Sequence, residues 1–291
     1  MKTLKDRTAV VTGAASGIGR GIALELARRG SRLALTDISA ELLEGVAEEA
    51  RGLGATVSTH VVDVSDRAAM LALPAAIAEV HGPAVHVLVN NAGISIDGTF
   101  EEQTLEDWDR MLGVNLWGVV HGCKAFWDGL MVADQAWIVN ISSVFGIVGP
   151  PGQSSYAAAK YAVRGLSESL WEETADTHIG VTVVHPAGVD TSIVANSKSY
   201  APDHKERMIK QFSKAGMSAE KAGTLIVAGV LSGKKRVFIA KGSRTIDRLK
   251  RLFPVLANRW IGEEIIKQLR MQDRKQRQLE DYRARRRELG H

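Results

Sequence analysis

A chain of 291 residues with 45% hydrophobic content can bury a sizeable core, as one large domain or two small ones. Its one cysteine, Cys123, excludes an intramolecular disulfide, argues against a cysteine-based metal site and fits a reducing, cytoplasmic setting. The start, Met1-Lys-Thr-Leu-Lys-Asp-Arg7, lacks the apolar core of a signal peptide, and the longest apolar run, residues 68–80, is interrupted by Pro74 and Glu79 and is too short to span a bilayer. Charge is unevenly placed: residues 244–291 carry 14 Lys/Arg against 7 Asp/Glu, while the whole chain has 37 against 33, so the body is mildly acidic. The pI near 9.2 belongs to the tail, which removes the main support for nucleic-acid binding by the protein as a whole.

Short β-branched runs alternate with helical patterns from residue 7 to about residue 240. In chain order, the first half predicts strand Thr8–Thr12, helix Gly17–Arg29, strand Arg32–Thr36, helix Ala40–Leu53, strand Thr56–Val61, helix Arg67–Val80 and strand Val85–Val89. The second half predicts helix Leu105–Asp128, strand Ala136–Ile141, helix Ser154–Thr174, strand Val181–Val184, helix Ala219–Leu231 and strand Arg236–Ile239. Most strands are continuous apolar runs, as parallel strands buried on both faces require. Parallel neighbours need a crossover helix, so this order implies an α/β domain: one doubly wound parallel sheet of about seven strands, flanked by helices. A long gap, Pro186 to Met217, interrupts the alternation; excursions of that length are usually functional, and residues 187–217 are read as a substrate lid within a domain spanning residues 1–243.

Residues 244–291 read as a basic amphipathic helical C-terminal extension. Ile246, Leu249, Leu252, Phe253, Leu256 and Trp260 recur at helical spacing between Arg248, Lys250, Arg251 and Arg259, and Pro254 splits the pattern into two pieces. Beyond Gln272 the chain is almost wholly charged, either a solvated helix or disordered. Two accounts of the apolar stripe stand: packing on the protein's own body or a sister subunit, or peripheral contact with an anionic membrane.

The first strand runs into Thr12-Gly-Ala-Ala-Ser-Gly-Ile-Gly19, which opens a helix. Gly13 permits a tight turn, Gly17 lets backbone N–H groups approach a pyrophosphate, and Gly19 allows close packing of helix on sheet; Ser16 and Ile18 complete the loop. A plain structural turn is the competing account. Asp37 closes the second strand, where a carboxylate accepts hydrogen bonds from adenosine ribose hydroxyls and repels a 2′-phosphate; capping the following helix is its bland alternative. Tyr156 and Lys160 are i and i+4, on one helical face, and a nearby ammonium favours the phenolate, lowering the tyrosine pKa into general acid/base range. Ser143, 13 residues earlier and just past a strand, can hydrogen-bond a substrate oxygen; Ser142 is the neighbouring alternative.

Thr12–Gly19, Asn90-Asn-Ala-Gly93, Asn115, Ser143 and Tyr156-Ala-Ala-Ala-Lys160 resemble, in order and spacing, the short-chain dehydrogenase/reductase family over about residues 5–240. The resemblance implies a Rossmann-type fold and NAD(P)-dependent interconversion of an alcohol and a carbonyl. It further implies that Asn115, Ser143, Tyr156 and Lys160 form the catalytic set, Asn115 kinking its helix and anchoring a water that leads to Lys160. Lys160 also holds the nicotinamide ribose. By position, Asp63 and Val64 meet the adenine, although Asp63 could equally cap the helix starting near Asp66. Asn91, Ala92 and Gly93 sit against the cofactor, and Pro186, Val189 and Thr191 form the turn at the carboxamide, with Ala187 where the family has glycine. Val144, Phe145, Ile147, Val148, Pro150, Pro151, Gln153 and Ile193 are expected around a substrate.

NAD(H) is expected over NADP(H) because Asp37 is followed by Ile38 and no arginine, with Arg20 and Arg32 the residues that could overturn this. His185 is read as structural or supporting the site, Trp108 and Trp117 as core or interface, and Cys123 as inert. No His/carboxylate cluster has metal spacing, so no metal is expected. The partners expected are a small molecule and sister subunits of a dimer or tetramer, not nucleic acid. The reading favoured is an alcohol dehydrogenase or carbonyl reductase with a lipophilic substrate. The alternatives are a 3-oxoacyl-thioester reductase, or an idle relative acting as a scaffold or nucleic-acid binder through its tail.

Overall fold

Strand β1 (Thr8–Thr12) leads into α1 (Gly17–Arg28), followed in strict alternation by β2 (Arg32–Asp37), α2 (Ala40–Gly52), β3 (Val57–Val61), α3 (Arg67–His81) and β4 (Val87–Asn90). The two-residue strand β5 (Ile96–Asp97) precedes α4 (Leu105–Leu112), a π-helical turn (Gly113–Trp117), α5 (Gly118–Ala125) and α6 (Trp127–Val132). Then β6 (Ala136–Ile141) passes through a 3-10 turn (Val144–Gly146) into α7 (Ser154–Glu173) and β7 (Ile179–Pro186). The long excursion holds β8 (Val189–Asp190), α8 (Ser192–Ala195), β9 (Lys198–Ser199), α9 (Pro202–Ala215) and β10 (Met217–Ser218). After it come α10 (Ala219–Leu231), β11 (Arg236–Ile239) and α11 (Ser243–Leu252). The computed structural model describes residues 3–263 except residues 201, 241 and 261, so the charged run past Gln272 lies outside the described residues.

Seven strands form one sheet in the order β11-β7-β6-β4-β1-β2-β3, every pair parallel. Alternate residues of β1 feed opposite layers: Ala9 and Val11 join the core under α1, α2 and α10, and Val10 joins the one under α3, α5 and α7. The chain winds from β1 outward to β3, then returns to place β4 on the other flank of β1. That reversal opens a crevice beyond the carboxyl ends of β1 and β4, where ligands bind in such sheets. On one layer, α1 and α10 touch backbone to backbone: a β-carbon at Gly21 would lie 2.2 Å from the Ala219 carbonyl oxygen, and one at Gly223 would lie 2.3 Å from Gly21.

The expected helix Leu105–Asp128 is not continuous. It widens to a π-turn around Asn115, whose side chain is bonded to the backbone of Ile94, while staying helical. It breaks at Phe126, which ends α5 with φ −96° and ψ 4°. In the tail, Phe253 leaves helical geometry (φ −133°, ψ 69°) just before Pro254, and residues 254–260 are helical again, as the proline requires. Among the described residues, no helix is long and apolar enough to cross a membrane, and no group of three or more His, Cys, Asp or Glu could hold a metal ion.

Candidate active site

The glycine loop is an empty-sided cradle at the switch point. A β-carbon at Gly19 would lie 2.0 Å from the Gly13 carbonyl oxygen, and one at Gly13, where φ is +64°, would lie 2.7 Å from Ala92 Cα. Side chains are excluded on steric grounds, leaving bare backbone at the amino end of α1. Thr12, which the sequence reading passed over, holds the cradle against β4: its hydroxyl donates to Val89 O (3.3 Å) and accepts from Asn91 N (3.0 Å) and Ala92 N (3.1 Å). Asn91 Nδ2 donates to the carbonyls of Thr12 and Gly13, both at 3.0 Å, so its side chain braces the loop. Ser16, the N-cap of α1, meets Ser192 of the excursion at 3.1 Å between hydroxyls, and Ile18 packs on the core beneath.

Asp37 stands at the carboxyl end of β2. Its Oδ2 accepts from Ala15 N and its Oδ1 from Ser39 N, both at 3.1 Å, which leaves lone pairs for a further donor. Ser39 is the N-cap of α2, so Asp37 anchors the approach to that helix as well as the glycine loop. Beside it Ile38 is exposed. Neither arginine that could answer a 2′-phosphate is free: Arg20 is held by Glu49 (2.6 Å) and Glu220 (2.8 Å), and Arg32 donates to Asp6 O at 3.2 Å. Asp63 accepts from the N and Oγ of Ser65, at 2.9 and 2.7 Å; the cap of α3 is Asp66, accepting from Ala69 N at 3.1 Å. Val64 is buried, its carbonyl taking a hydrogen bond from His121 Nδ1 at 2.9 Å.

Beyond β4 and β6 lies the second half of the site. Ser143 follows β6 in extended backbone, with its Oγ accepting from Phe145 N at 3.1 Å. Ser142, the alternative, is committed elsewhere: its hydroxyl donates to the Lys160 carbonyl at 2.8 Å and clamps α7 to the sheet. Lys160 is buried, Nζ donating to Ile141 O at 3.0 Å and lying 5.7 Å from the Tyr156 ring centre. Burial pushes Lys160 down to about 8 and pushes Tyr156 above the ordinary phenol range, with only the Ser143 hydrogen bond opposing. The expected lowering of the tyrosine pKa by the lysine is therefore not found; desolvation of the phenolate outweighs an ammonium aimed at a carbonyl.

Asn115 is fully buried. Its Oδ1 accepts from Ile94 N and its Nδ2 donates to Ile94 O, both at 2.9 Å, tying the π-turn to the segment after β4. Gly93 fits between it and the lysine, since a β-carbon there would lie 2.9 Å from Asn115 Oδ1 and 3.5 Å from Lys160 Nζ. His185, at the end of β7, donates from Nδ1 to the Ser143 carbonyl at 3.1 Å and stacks on Phe238, and burial pushes it down to about 4. It thus pins the backbone of the serine turn, which its sequence position alone did not reveal. After Pro186, Ala187 adopts no positive φ, so alanine is accommodated where the family has glycine. Val189 is buried in β8, and Thr191 packs its methyl 3.1 Å from where a Gly17 side chain would begin.

The expected apolar lining is only partly realised. Phe145 sits edge-on to Tyr156 at 6.2 Å, Pro151 is exposed, Ile193 is half-buried, and Gln153 donates to Asp97 at 3.3 Å. Val144, Ile147, Val148 and Pro150 are buried; the 3-10 turn after Ser143 rolls Ile147 and Val148 into the core.

An empty-sided loop at the switch point, with serine, tyrosine and lysine across the crevice, is the arrangement of an oxidoreductase that works on a bound dinucleotide. Comparison with known proteins agrees. The model of the short chain dehydrogenase family matches residues 7–201, and the chain belongs to that family. It is 37% identical over 271 residues to the putative oxidoreductase SadH of Mycobacterium tuberculosis, covering 92% of this chain and 98% of that one. It is also 37% identical over 188 residues to the 3-oxoacyl-[acyl-carrier-protein] reductase FabG of Thermotoga maritima, covering 65% of this chain and 76% of the relative. Among solved structures, a short chain dehydrogenase/reductase from Burkholderia phymatum in complex with NAD superposes with a TM-score of 0.81 at 30% identity, covering 88% of this chain and 96% of that one.

Proposed function

We propose that the chain is an NAD(H)-dependent alcohol dehydrogenase or carbonyl reductase acting on a lipophilic secondary alcohol or ketone. The observation that carries this reading is Tyr156 one helical turn from buried Lys160, with Ser143 at the end of the neighbouring strand β6 and the glycine loop at the switch point. Backbone N–H groups of Gly13–Gly19, the carboxylate of Asp37, and the Pro186–Thr191 turn would hold the dinucleotide, with Lys160 at its nicotinamide ribose. When bound, that cofactor supplies or accepts the hydride. Ser143 donates a hydrogen bond to the substrate oxygen, where negative charge develops on reduction. Tyr156 gives that oxygen its proton, and in the reverse direction takes it back. A phenol whose pKa is raised keeps its proton at neutral pH, which suits the donor role. Asn115 fixes the strand-end loop through Ile94, and Gly93 leaves the space in which Lys160 stands.

A lipophilic substrate is favoured by Phe145, edge-on to Tyr156, with Pro151 and Ile193 as further apolar candidates, and sister subunits are proposed partners. The second reading, a 3-oxoacyl-thioester reductase, draws on the Thermotoga relative. It is disfavoured by exposed Ile38 and by the engagement of Arg20, which leave a cofactor phosphate without a partner there. Following NADH absorbance with a panel of secondary alcohols, ketones and acyl thioesters separates the two. Tyr156→Phe keeps the ring and removes the proton, so turnover is expected to fall by about two to four orders of magnitude. Near-normal turnover in a folded Tyr156→Phe protein overturns the assignment.

A further inference from the structure

The C-terminal segment presents large apolar side chains that this chain's described residues leave uncovered. Leu252, Phe253, Val255, Leu256 and Trp260 are each between 52% and 76% exposed. They are not a loose end, because the segment is held at three points. Asp247, on the inner face of α11, is paired with Arg236 of β11 at 2.5 Å; Lys250 donates to the Pro254 carbonyl and to Asn258 Oδ1, both at 2.8 Å, bracing the elbow between the two helical pieces. Gly262 then lies against Pro151, a β-carbon there falling 3.9 Å from its ring. Because α11 also packs on the turn Val144–Gly146, the elbow sits at the rim of the candidate substrate site. Leu256 and Trp260 stand at i and i+4 on the second helical piece and Leu252 ends the first, while Arg244, Arg248, Arg251 and Arg259 are exposed around them, Arg251 paired with Asp247 and Arg259 with Glu263.

We infer that this face docks on an anionic lipid bilayer, with Leu252, Phe253, Leu256 and Trp260 in the interface and the arginines over the headgroups. Charge selects this occupant over a second copy of the chain. Self-pairing about a two-fold axis would set the same arginines against one another, whereas anionic headgroups neutralise them. Docking in this way turns the rim formed by Phe145 and Pro151 toward the lipid, from which a lipophilic substrate would enter. The contact itself does not depend on the reaction proposed above and is measured without substrate or cofactor.

The test is co-sedimentation of the full-length protein with phosphatidylcholine vesicles, with or without phosphatidylglycerol. Binding to the anionic vesicles at low salt is expected, weakening as salt rises. Arg248→Ala, at an exposed position, should weaken it about fivefold, the share of one cation near a charged surface. The double variant Leu256→Asp/Trp260→Asp should weaken it tenfold or more while leaving turnover on a water-soluble substrate and the molar mass by light scattering unchanged. Absence of binding at low salt, equal binding to neutral vesicles, or undiminished binding of both variants overturns the inference. A fall in molar mass of the double variant assigns the face to a second copy instead.

Discussion

Asp37 performs two tasks with one carboxylate. It ties Ala15 of the glycine loop to Ser39 ahead of α2, and the same oxygens have capacity left for ribose hydroxyls. A 2′-phosphate brought there meets like charge, with Arg20 already held by two carboxylates. NADH is therefore expected to bind more tightly than NADPH in a fluorescence titration, and Asp37→Ala with Ile38→Arg to reverse the order. Tighter NADPH binding by the unmodified protein would contradict this. His185 offers a second expectation. Burial holds it near 4 against an ordinary 6.5, so between those values the unfolded chain binds the proton and the folded chain does not. Stability from keeping this imidazole neutral is complete above 6.5 and is lost as pH falls toward 4, about 3 kcal/mol in all. His185→Asn keeps a donor for the Ser143 carbonyl and removes the titration. Urea midpoints compared from pH 7 to pH 4 should decline less steeply in the variant, and identical slopes would exclude the assignment.

At the scale of elements, the excursion between β7 and α10 is fastened to the body by a few strong points. β9 pairs with β5, and Lys198 reaches Asp107 of α4 at 2.8 and 3.0 Å, where the Tyr200 hydroxyl also bonds at 2.7 Å, while β10 and β8 close the excursion on itself. Burial works to raise the Asp107 carboxyl, but these hydrogen bonds bring it below the usual carboxylate range. Lys198→Met removes one of these fastenings without touching the crevice. If the excursion is the substrate lid that its length suggests, the expected result is faster proteolytic cleavage within residues 187–217 and a KM raised about three- to tenfold with kcat little changed. An unaltered KM and digestion pattern would show that the excursion does not depend on this fastening. Such a link joins residues 91 apart in sequence, and no local pattern announces it. The same holds for the π-turn, set by Asn115 and Ile94 21 residues apart, and for the choice between Ser142 and Ser143, which turned on the Lys160 carbonyl. By contrast β1, β6, β11 and α10 were legible to the residue, because apolar runs and helical periodicity are local properties. The cradle was legible too, since glycine at three fixed positions is a steric statement that the chain makes openly.

At the scale of the whole molecule, two of the exposed apolar patches among the described residues differ in charge. Away from the basic elbow, Phe100, Leu105 and Trp117 are exposed around α4 and α5, with Trp117 stacked on His121. This surface suits the proposed sister subunit. Leu105→Asp with Trp117→Asp is expected to lower the molar mass measured by light scattering, and an unchanged mass would place the contact elsewhere. The pairing of Arg236 with Asp247 carries a different consequence. Arg236 belongs to the last strand of the sheet and Asp247 to the extension, and both side chains are largely shielded from water. Removing one member of a buried pair costs about 3–5 kcal/mol, because the other charge is stranded. The extension is thus not a detachable appendage: a recombination that exchanged it for another sequence would have to deliver an acid to Arg236 in the same stroke. Shortening this chain to a point before Asp247 would strand the Arg236 charge, whereas a cut placed after it would leave the pair intact.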